Sequence, residues 1–132
     1  MEGVNYLHNE GVIHRDIKAA NILVDHDGTI KLTDFGTSKV IETEESLIQQ
    51  NKSLKGTPYW MAPEVCQMKG ASFASDIWSV GGVVIEMIGG MPPFADKYGR
   101  DMDVGELLKR IATDGKPNYP TKITPLARDF LD

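Results

Sequence analysis

The chain has 132 residues, of which 41% are hydrophobic and 25% are charged, and its formal net charge at pH 7 is −5. This composition is typical of a globular domain, and the acidic balance argues against the clustered lysine and arginine with which proteins bind nucleic acid. The single cysteine, Cys66, excludes a disulfide bond within the chain and fits a reducing compartment.

The N-terminal segment predicts the last turns of a helix. Val4, Leu7 and His8 follow helical spacing, and Gly11 stands where helices often end in the left-handed conformation. Met1 is followed by neither the basic stretch nor the long apolar run of a secretory signal. We therefore expect a cytoplasmic protein.

Residues 22–33 contain a β-hairpin signal, because two short β-prone runs are separated by the turn Asp-His-Asp-Gly at residues 25–28. Antiparallel pairing should bring Asn21 and Asp34, which flank the hairpin, side by side. A carboxylate and an amide oxygen suit Mg²⁺, whose remaining ligands could be nucleotide phosphates.

Just before the hairpin, Asp16 and Lys18 stand two residues apart. In an extended segment both side chains project to the same side. One group could accept a hydroxyl proton while the other neutralises a phosphate. Together with the predicted metal ligands, this pair predicts a site for phosphoryl transfer.

These residues carry a family resemblance. The run His-Arg-Asp-Ile-Lys-Ala-Ala-Asn at residues 14–21 resembles the catalytic loop of eukaryotic protein kinases, and Asp-Phe-Gly at residues 34–36 resembles their D-F-G motif. The finer pattern, at residues 17–21, 31–39 and 114–117, is most similar to MAP kinase kinase kinases. The resemblance covers nearly the whole chain.

The resemblance implies ATP-dependent phosphorylation of protein serine and threonine hydroxyls, with Mg²⁺ as cofactor. Asp16 would orient the acceptor hydroxyl and Lys18 would contact the γ-phosphate. Asn21 and Asp34 would hold the metal ions, and Leu23 would pack beneath the adenine ring. The protein substrate could be a downstream kinase.

The polar residues 37–63 predict a mobile loop. The resemblance identifies this loop as the activation segment, closed by Ala-Pro-Glu at residues 62–64. Ser53 is the predicted regulatory phosphosite, and Arg15 could receive its phosphate.

The stretch at residues 56–61 resembles the segment that cradles the acceptor residue in serine/threonine kinases. Together with Lys18, this stretch disfavours tyrosine specificity. Within it, Thr57 would bridge Asp16 and Lys18. His14, in contrast, is expected to be a packing residue rather than a chemical group.

Residues 75–88 predict a central helix that is apolar nearly all round and therefore buried, with Ser75 as its cap and Asp76 in its first turn. Glycines 89 and 90 should end it. The resemblance implies that Asp76 binds the backbone of the catalytic loop, and helix capping is the alternative role.

Polar residues interrupt this helix, since Ser79 and Glu86 lie within the apolar stretch 77–88. That stretch is too short to span a bilayer, so we expect no membrane association. Gly82 departs from the cysteine often found in related kinases, which should affect helix packing.

Two further helices are predicted towards the C terminus. Asp103 and Glu106 form a capping signature for an amphipathic helix that ends before Gly115, and Thr124-Pro125 begins another helix.

The expected fold class is α+β: the mainly helical C-terminal lobe of the protein kinase fold with a small β-hairpin, the N-terminal lobe being absent. Residues 1–132 would form a partial kinase domain, from the end of the helix before the catalytic loop to the helix after the docking helix. A later arginine that pairs with Glu64 in related kinases would also be missing, so Glu64 should be solvated or paired with Arg110 or Arg128.

Two functional hypotheses follow. The chain is part of a longer serine/threonine kinase, or it is a catalytically silent kinase-like module that binds protein partners. The presence of Asp16, Lys18, Asn21 and Asp34 favours the first hypothesis, because a pure binding module has no chemical need for them.

Overall fold

The computed structural model describes residues 1–33, 39–40 and 58–132. The helices of this part are α1 (Glu2–Asn9), α2 (Pro63–Cys66), α3 (Phe73–Gly89), α4 (Ala95–Tyr98), α5 (Val104–Asp114) and α6 (Pro125–Leu131). The strands are β1 (Val12–Ile13), β2 (Ile22–Val24), β3 (Ile30–Leu32) and β4 (Lys39–Val40), and 3₁₀ turns cover Ala19–Asn21 and Pro58–Trp60. This mainly helical arrangement confirms the predicted α+β class.

The predicted β-hairpin is present, with β2 antiparallel to β3 and Ile22 opposite Leu32. Its turn closes where the backbone N–H of Gly28 donates to the carbonyl of Asp25, and Gly28 takes a φ of +85°. This left-handed conformation suits glycine, because it has no Cβ.

The register of the hairpin differs from the prediction by one residue. Thr33, rather than Asp34, meets Asn21, since the Thr33 N–H donates to the Asn21 carbonyl over 2.8 Å. The three-residue loop between Asp25 and Thr29 sets this register. Asp34 follows directly in the sequence and lies outside the described residues.

A second sheet pairs β1 with β4, so that Val12 lies opposite Val40. The sequence predicted a polar loop from residue 37 onwards, and a two-residue strand inside it was not expected. β4 has only two residues, which are too few to show the alternation of apolar and polar side chains that predicts a strand. Its partner, β1, is distant in sequence, so no local pattern marks the pairing.

The central helix α3 begins earlier than predicted. Ser72 is its N-cap, and its hydroxyl accepts a hydrogen bond from the N–H of Ser75. The Ser75 side chain bonds back to the Ser72 backbone, which completes a capping box. The prediction of Ser75 as the cap was therefore wrong by one turn. The helix ends as predicted, with Gly90 in the left-handed conformation at φ +76°.

Burial of α3 is one-sided in the described chain. Asp76, Gly82, Val83 and Ile85 are buried, whereas the Met87 side chain is 72% exposed. The expectation of a helix buried all round is met on one face only.

The later helices follow the predicted caps. The Asp103 side chain accepts from the N–H of Glu106 at the start of α5, and Gly115 ends this helix at φ +78°. Thr124 caps α6 by accepting from the N–H of Ala127. The sequence predicts no element for the four-residue helix α4, which lies between α3 and α5.

Two apolar clusters support the site. One joins α1, the loop at residues 14–18 and α3 through Val4, Ile17 and Val83. The other, formed by Phe94, Leu107 and Ile111, lies beside α5. Within residues 1–33 and 58–132, no helix has both the length and the apolar character needed to cross a membrane.

Candidate active site

The loop at residues 14–16 is held by a buried carboxylate from the central helix. Asp76 Oδ2 accepts from the backbone N–H of His14 over 2.8 Å, and Oδ1 accepts from that of Arg15 over 3.0 Å. The side chain is only 2% exposed, so water does not compete for these bonds. Asp76 binds the loop backbone, as the resemblance implied, and it lies inside α3 rather than at its cap.

Arg15 adopts a backbone conformation that needs such support. Its φ is +74°, in the left-handed region that residues with a Cβ rarely occupy. A conformation of this kind costs on the order of 1–3 kcal/mol and persists where the surrounding structure enforces it. The bond from the Arg15 N–H to Asp76 supplies part of that enforcement.

His14 fixes the next residue of the loop. Its side chain is fully buried, Nδ1 accepts from the N–H of Asp16 over 3.2 Å, and Nε2 donates to the carbonyl of Thr33 over 2.9 Å. These partners require the tautomer with the proton on Nε2, because the carbonyl can only accept. Three successive backbone N–H groups are therefore held, and the ring ties the loop to the end of the hairpin.

Asp16 and Lys18 lie on the same side, as their spacing predicted, and Asn21 joins them, which the sequence did not predict. Lys18 Nζ lies 3.8 Å from Asp16 Oδ2, and Asn21 Nδ2 donates to the same oxygen over 3.1 Å and to the Asp16 carbonyl over 2.8 Å. Ile17, which lies between Asp16 and Lys18 in the sequence, points into the core and anchors the loop. The ammonium group of Lys18 and the amide group of Asn21 therefore both face the carboxylate of Asp16.

The orientation of Asn21 fits a divalent cation. Both protons of its amide nitrogen face oxygens of Asp16, so the amide oxygen turns away from that contact. An amide oxygen is a hard ligand of the kind that Mg²⁺ accepts. Asn21 therefore fits a magnesium ligand, and the second predicted ligand, Asp34, lies outside the described residues.

Leu23 lies on β2, two residues after Asn21, and its side chain is 54% exposed. An exposed leucine on a strand beside the polar cluster is open to an apolar partner. The predicted contact with an adenine ring stays a prediction.

Several predicted functional residues lie outside the described part of the chain, namely Asp34, Ser53 and Thr57. The proposed bridge from Thr57 to Asp16 and Lys18 stays a prediction for that reason. So does the pairing of Arg15 with a phosphate on Ser53.

Just beyond Thr57, residues 58–60 are held on two sides. The Ser79 hydroxyl donates to the Trp60 carbonyl over 2.7 Å, and the Trp60 indole N–H donates to Glu86 over 3.1 Å. On the other side, the Tyr59 hydroxyl donates to the Gly99 carbonyl over 2.8 Å. The segment similar to an acceptor cradle is thus fixed to α3 and to the end of α4.

Glu64 is half-buried, and within the described residues it forms no ion pair. Arg110 instead pairs with Glu106, one turn earlier on α5, over 3.0 Å. Of the alternatives predicted for Glu64, neither arginine partner is observed in this part of the chain.

Residues with shifted pKa values lie away from the cluster. Burial, with the nearby charge of Glu64 as a second cause, raises the pKa of the Cys66 thiol to about 11. The backbone N–H of His26 and the ammonium of Lys31 hold the pKa of Asp25, on the hairpin turn, below its ordinary value. A thiol with a raised pKa is a poor nucleophile, which supports a structural role for Cys66.

Sequence reasoning missed His8, whose Nε2 lies 2.8 Å from Asp76 Oδ2 and whose ring packs against Phe73. It also assigns no role to Ser79 or Glu86, the two polar residues that interrupt the apolar stretch of α3. The signal was available: polar residues on a mostly apolar helix need partners, because burying them unpaired is costly.

Comparison with known proteins places the whole chain in one family. Residues 1–132 match the family model described as the protein kinase domain. Over 129 residues, 98% of this chain and 19% of the relative, the chain is 50% identical to mitogen-activated protein kinase kinase kinase 3 of Arabidopsis thaliana. It is 50% identical over 131 residues to cell division control protein 7 of Schizosaccharomyces pombe, covering 99% of this chain and 11% of that protein.

A third relative is cytokinesis protein sepH of Aspergillus terreus, 47% identical over 132 residues, with 99% of this chain and 9% of that protein covered. The chain therefore spans about a fifth or less of the length of these three relatives.

Proposed function

Since the chain belongs to the protein kinase family, we propose that the full-length protein transfers the γ-phosphate of ATP to serine or threonine hydroxyls of other proteins. The observation that carries this proposal is the cluster of Asp16, Lys18 and Asn21 on a loop that Asp76 holds in place. Phosphoryl transfer depends mainly on positioning and charge stabilisation, and such a loop supplies both.

In the proposed reaction, the acceptor hydroxyl oxygen forms a bond to the γ-phosphorus while the bond to the β–γ bridging oxygen breaks, and ADP leaves. Asp16 orients the hydroxyl and receives its proton. Its Oδ2 is occupied by Asn21, so Oδ1 is the oxygen proposed to face the substrate. Lys18 stabilises the charge on the transferred phosphoryl group.

Asn21 and Asp34 would hold Mg²⁺, which neutralises phosphate charge when it is bound. Leu23 would form an apolar floor for the adenine ring, a role that its exposed side chain supports.

Specificity for serine and threonine is proposed from Lys18 and from the stretch at residues 56–61. A role as a MAP kinase kinase kinase, with a downstream kinase as substrate, is proposed from the 50% identity to the Arabidopsis protein of that name. Phosphorylation of Ser53, read by Arg15, is the proposed form of regulation.

The test uses the full-length protein with ATP, Mg²⁺ and three peptides that differ only in the acceptor residue: serine, threonine or tyrosine. We expect phosphate on the serine and threonine peptides and none on the tyrosine peptide. Transfer to tyrosine alone would overturn the specificity. If neither these peptides nor a downstream kinase is phosphorylated, the silent binding module becomes the better account.

A further inference from the structure

Thr33, at the end of the β2–β3 hairpin, is bonded to both ends of the loop at residues 14–21. Its backbone N–H and its hydroxyl Oγ1 both donate to the carbonyl of Asn21, over 2.8 and 3.1 Å. Its own carbonyl accepts from Nε2 of the buried His14 ring over 2.9 Å. One residue of the hairpin therefore holds the first and the last residue of this loop.

Asn21 is held at three of its four polar groups. Its backbone N–H donates to the carbonyl of Lys18 over 3.0 Å, and its amide nitrogen donates to two oxygens of Asp16. A carbonyl oxygen has two lone pairs, and the two donors of Thr33 occupy both lone pairs of the Asn21 carbonyl. The fourth group is the amide oxygen Oδ1, which accepts none of the described hydrogen bonds.

The amide oxygen of Asn21 is open to a ligand. Within the described part of the chain, every side-chain oxygen or nitrogen that is sealed from solvent has a hydrogen-bond partner. Oδ1 of Asn21 has no such partner there, so it is not sealed. The groups around Asn21 thus fix the residue and leave free the one oxygen that could bind a cation.

The hydroxyl is what threonine adds at position 33. Any residue other than proline has a backbone N–H and a carbonyl, so the two backbone bonds of Thr33 do not depend on its side chain. The bond from Oγ1 does, and it adds a second donor to a carbonyl that the N–H already holds. The hydroxyl therefore restrains the peptide group from which the side chain of Asn21 projects.

We propose that Thr33 is a positioning residue for Asn21 in the binding of a divalent cation. The inference rests on the proposed function, which assigns Asn21 to the Mg²⁺ that accompanies ATP. A metal ligand must be held within about 0.5 Å of its productive position, and removing the partners that orient ligands lowers metal affinity. Loss of the Thr33 hydroxyl should therefore weaken cation binding while the backbone bonds keep the hairpin in place.

The experiment measures the binding of Mn²⁺ to the full-length protein with a non-hydrolysable ATP analogue, from the electron paramagnetic resonance signal of free Mn²⁺. Mn²⁺ takes the same kinds of oxygen ligand as Mg²⁺. Thr33→Val replaces the hydroxyl with a methyl group of similar size. We expect its Kd for Mn²⁺ to rise about twofold to tenfold, the range expected for the loss of one hydrogen bond. Thr33→Ala, which adds no methyl group, should have the same effect.

Two further variants separate the hydroxyl from general effects on the hairpin. Thr33→Ser keeps the hydroxyl, so its Kd for Mn²⁺ should stay near the wild-type value. Thr29→Val makes the same exchange of hydroxyl for methyl on the same hairpin, where the side chain is exposed and bonds to Asp27 of the turn. This control should leave the Kd unchanged.

Hydrogen–deuterium exchange tests the same bond without metal, nucleotide or any assay of activity. In a peptide covering residues 24–33, Thr33→Val should exchange roughly twofold to tenfold faster than the wild type, and Thr33→Ser should not. If the wild-type protein binds Mn²⁺ but transfers no phosphate, the proposed function fails, and the Mn²⁺ affinities and the exchange rates still decide the role of Thr33.

Four results would overturn the inference. These are a wild-type protein that binds no Mn²⁺, a wild-type Kd in Thr33→Val, wild-type exchange in that variant, and an equal loss of affinity in Thr33→Ser or Thr29→Val.

Discussion

The carboxylate of Asp76 accepts a hydrogen bond from the backbone N–H of Arg15 over 3.0 Å, although the two residues are 61 positions apart in the chain. This bond ties the central helix to the residue that immediately precedes Asp16. The position of the proposed catalytic carboxylate is therefore set by packing of α3 against the loop, and not by the loop sequence alone.

Asp76→Asn should impair both stability and activity. Asparagine keeps one acceptor oxygen, but its amide nitrogen then faces an N–H group of His14 or Arg15, so one loop N–H loses its partner. We expect a loss of about 1–3 kcal/mol in the free energy of unfolding, measured with urea. We expect kcat to fall at least about tenfold, since small displacements of a catalytic group are costly.

Asp129→Asn is the control, because Asp129 is exposed on α6. It should change the free energy of unfolding by less than about 0.5 kcal/mol. Equal effects of the two substitutions would contradict a special role for Asp76.

Elements set by local chemistry could be predicted from the sequence. The structure has three such elements: the hairpin, the helix cap at Asp103 and the start of a helix at Thr124-Pro125. Each depends on residues that are neighbours in the sequence. The family resemblance is confirmed by the match over residues 1–132. The spacing of Asp16 and Lys18 also predicted correctly that their side chains lie on the same side of the loop.

Contacts distant in sequence could not be predicted in the same way. The bond from His8 to Asp76 joins residues 68 positions apart, and no local pattern marks it. The cap of α3 was misassigned because Ser72 and Ser75 both have cap chemistry, and only the fold shows which serine precedes the first turn.

The two adjacent glycines of α3 provide a stability test. Alanine is worth about 1 kcal/mol more than glycine inside a helix, so Gly81→Ala should stabilise the protein by up to about that amount. At Gly82, the added methyl group would lie 3.0 Å from Pro93 Cγ and 3.1 Å from Trp60 Cδ1. Overpacking of this kind typically costs about 1–3 kcal/mol.

Gly82→Ala should therefore be less stable than Gly81→Ala by roughly 1–3 kcal/mol in urea unfolding of the full-length protein. Both substitutions replace glycine with alanine inside α3, so the gain in helix propensity is the same for the two variants and cancels when their stabilities are compared. Equal stabilities would show that the approach of Trp60 to α3 is looser than the structure has it.

The thiol of Cys66 should react slowly at neutral pH. Burial raises its pKa from 9.0 to about 11, so the reactive thiolate is scarcer in the folded protein than in the unfolded chain. At pH 8, alkylation by iodoacetamide should be on the order of a hundredfold slower in the folded state than in urea. The rate of alkylation in the folded protein should rise as the pH approaches 11. A rate that reaches half of its maximum near pH 9 would contradict the prediction.

The same shift has a consequence for stability. The folded state holds the Cys66 proton more tightly than the unfolded chain does. The contribution of the protonated thiol to the free energy of unfolding is therefore fully present below pH 9.0 and is lost as the pH rises through about 11. Cys66→Ala should reduce the decline in unfolding free energy over this interval, as measured by urea unfolding at several pH values.

The most direct test of the account compares Asp16→Asn with Asp25→Asn in the full-length protein, by transfer of labelled γ-phosphate from ATP to a serine peptide. Both substitutions remove one carboxylate charge, but Asp25 lies on the hairpin turn, paired with Lys31. We predict that Asp16→Asn lowers kcat by about 10²–10⁴-fold and that Asp25→Asn leaves it unchanged. Wild-type kcat in Asp16→Asn would contradict the assignment of this residue as the catalytic carboxylate.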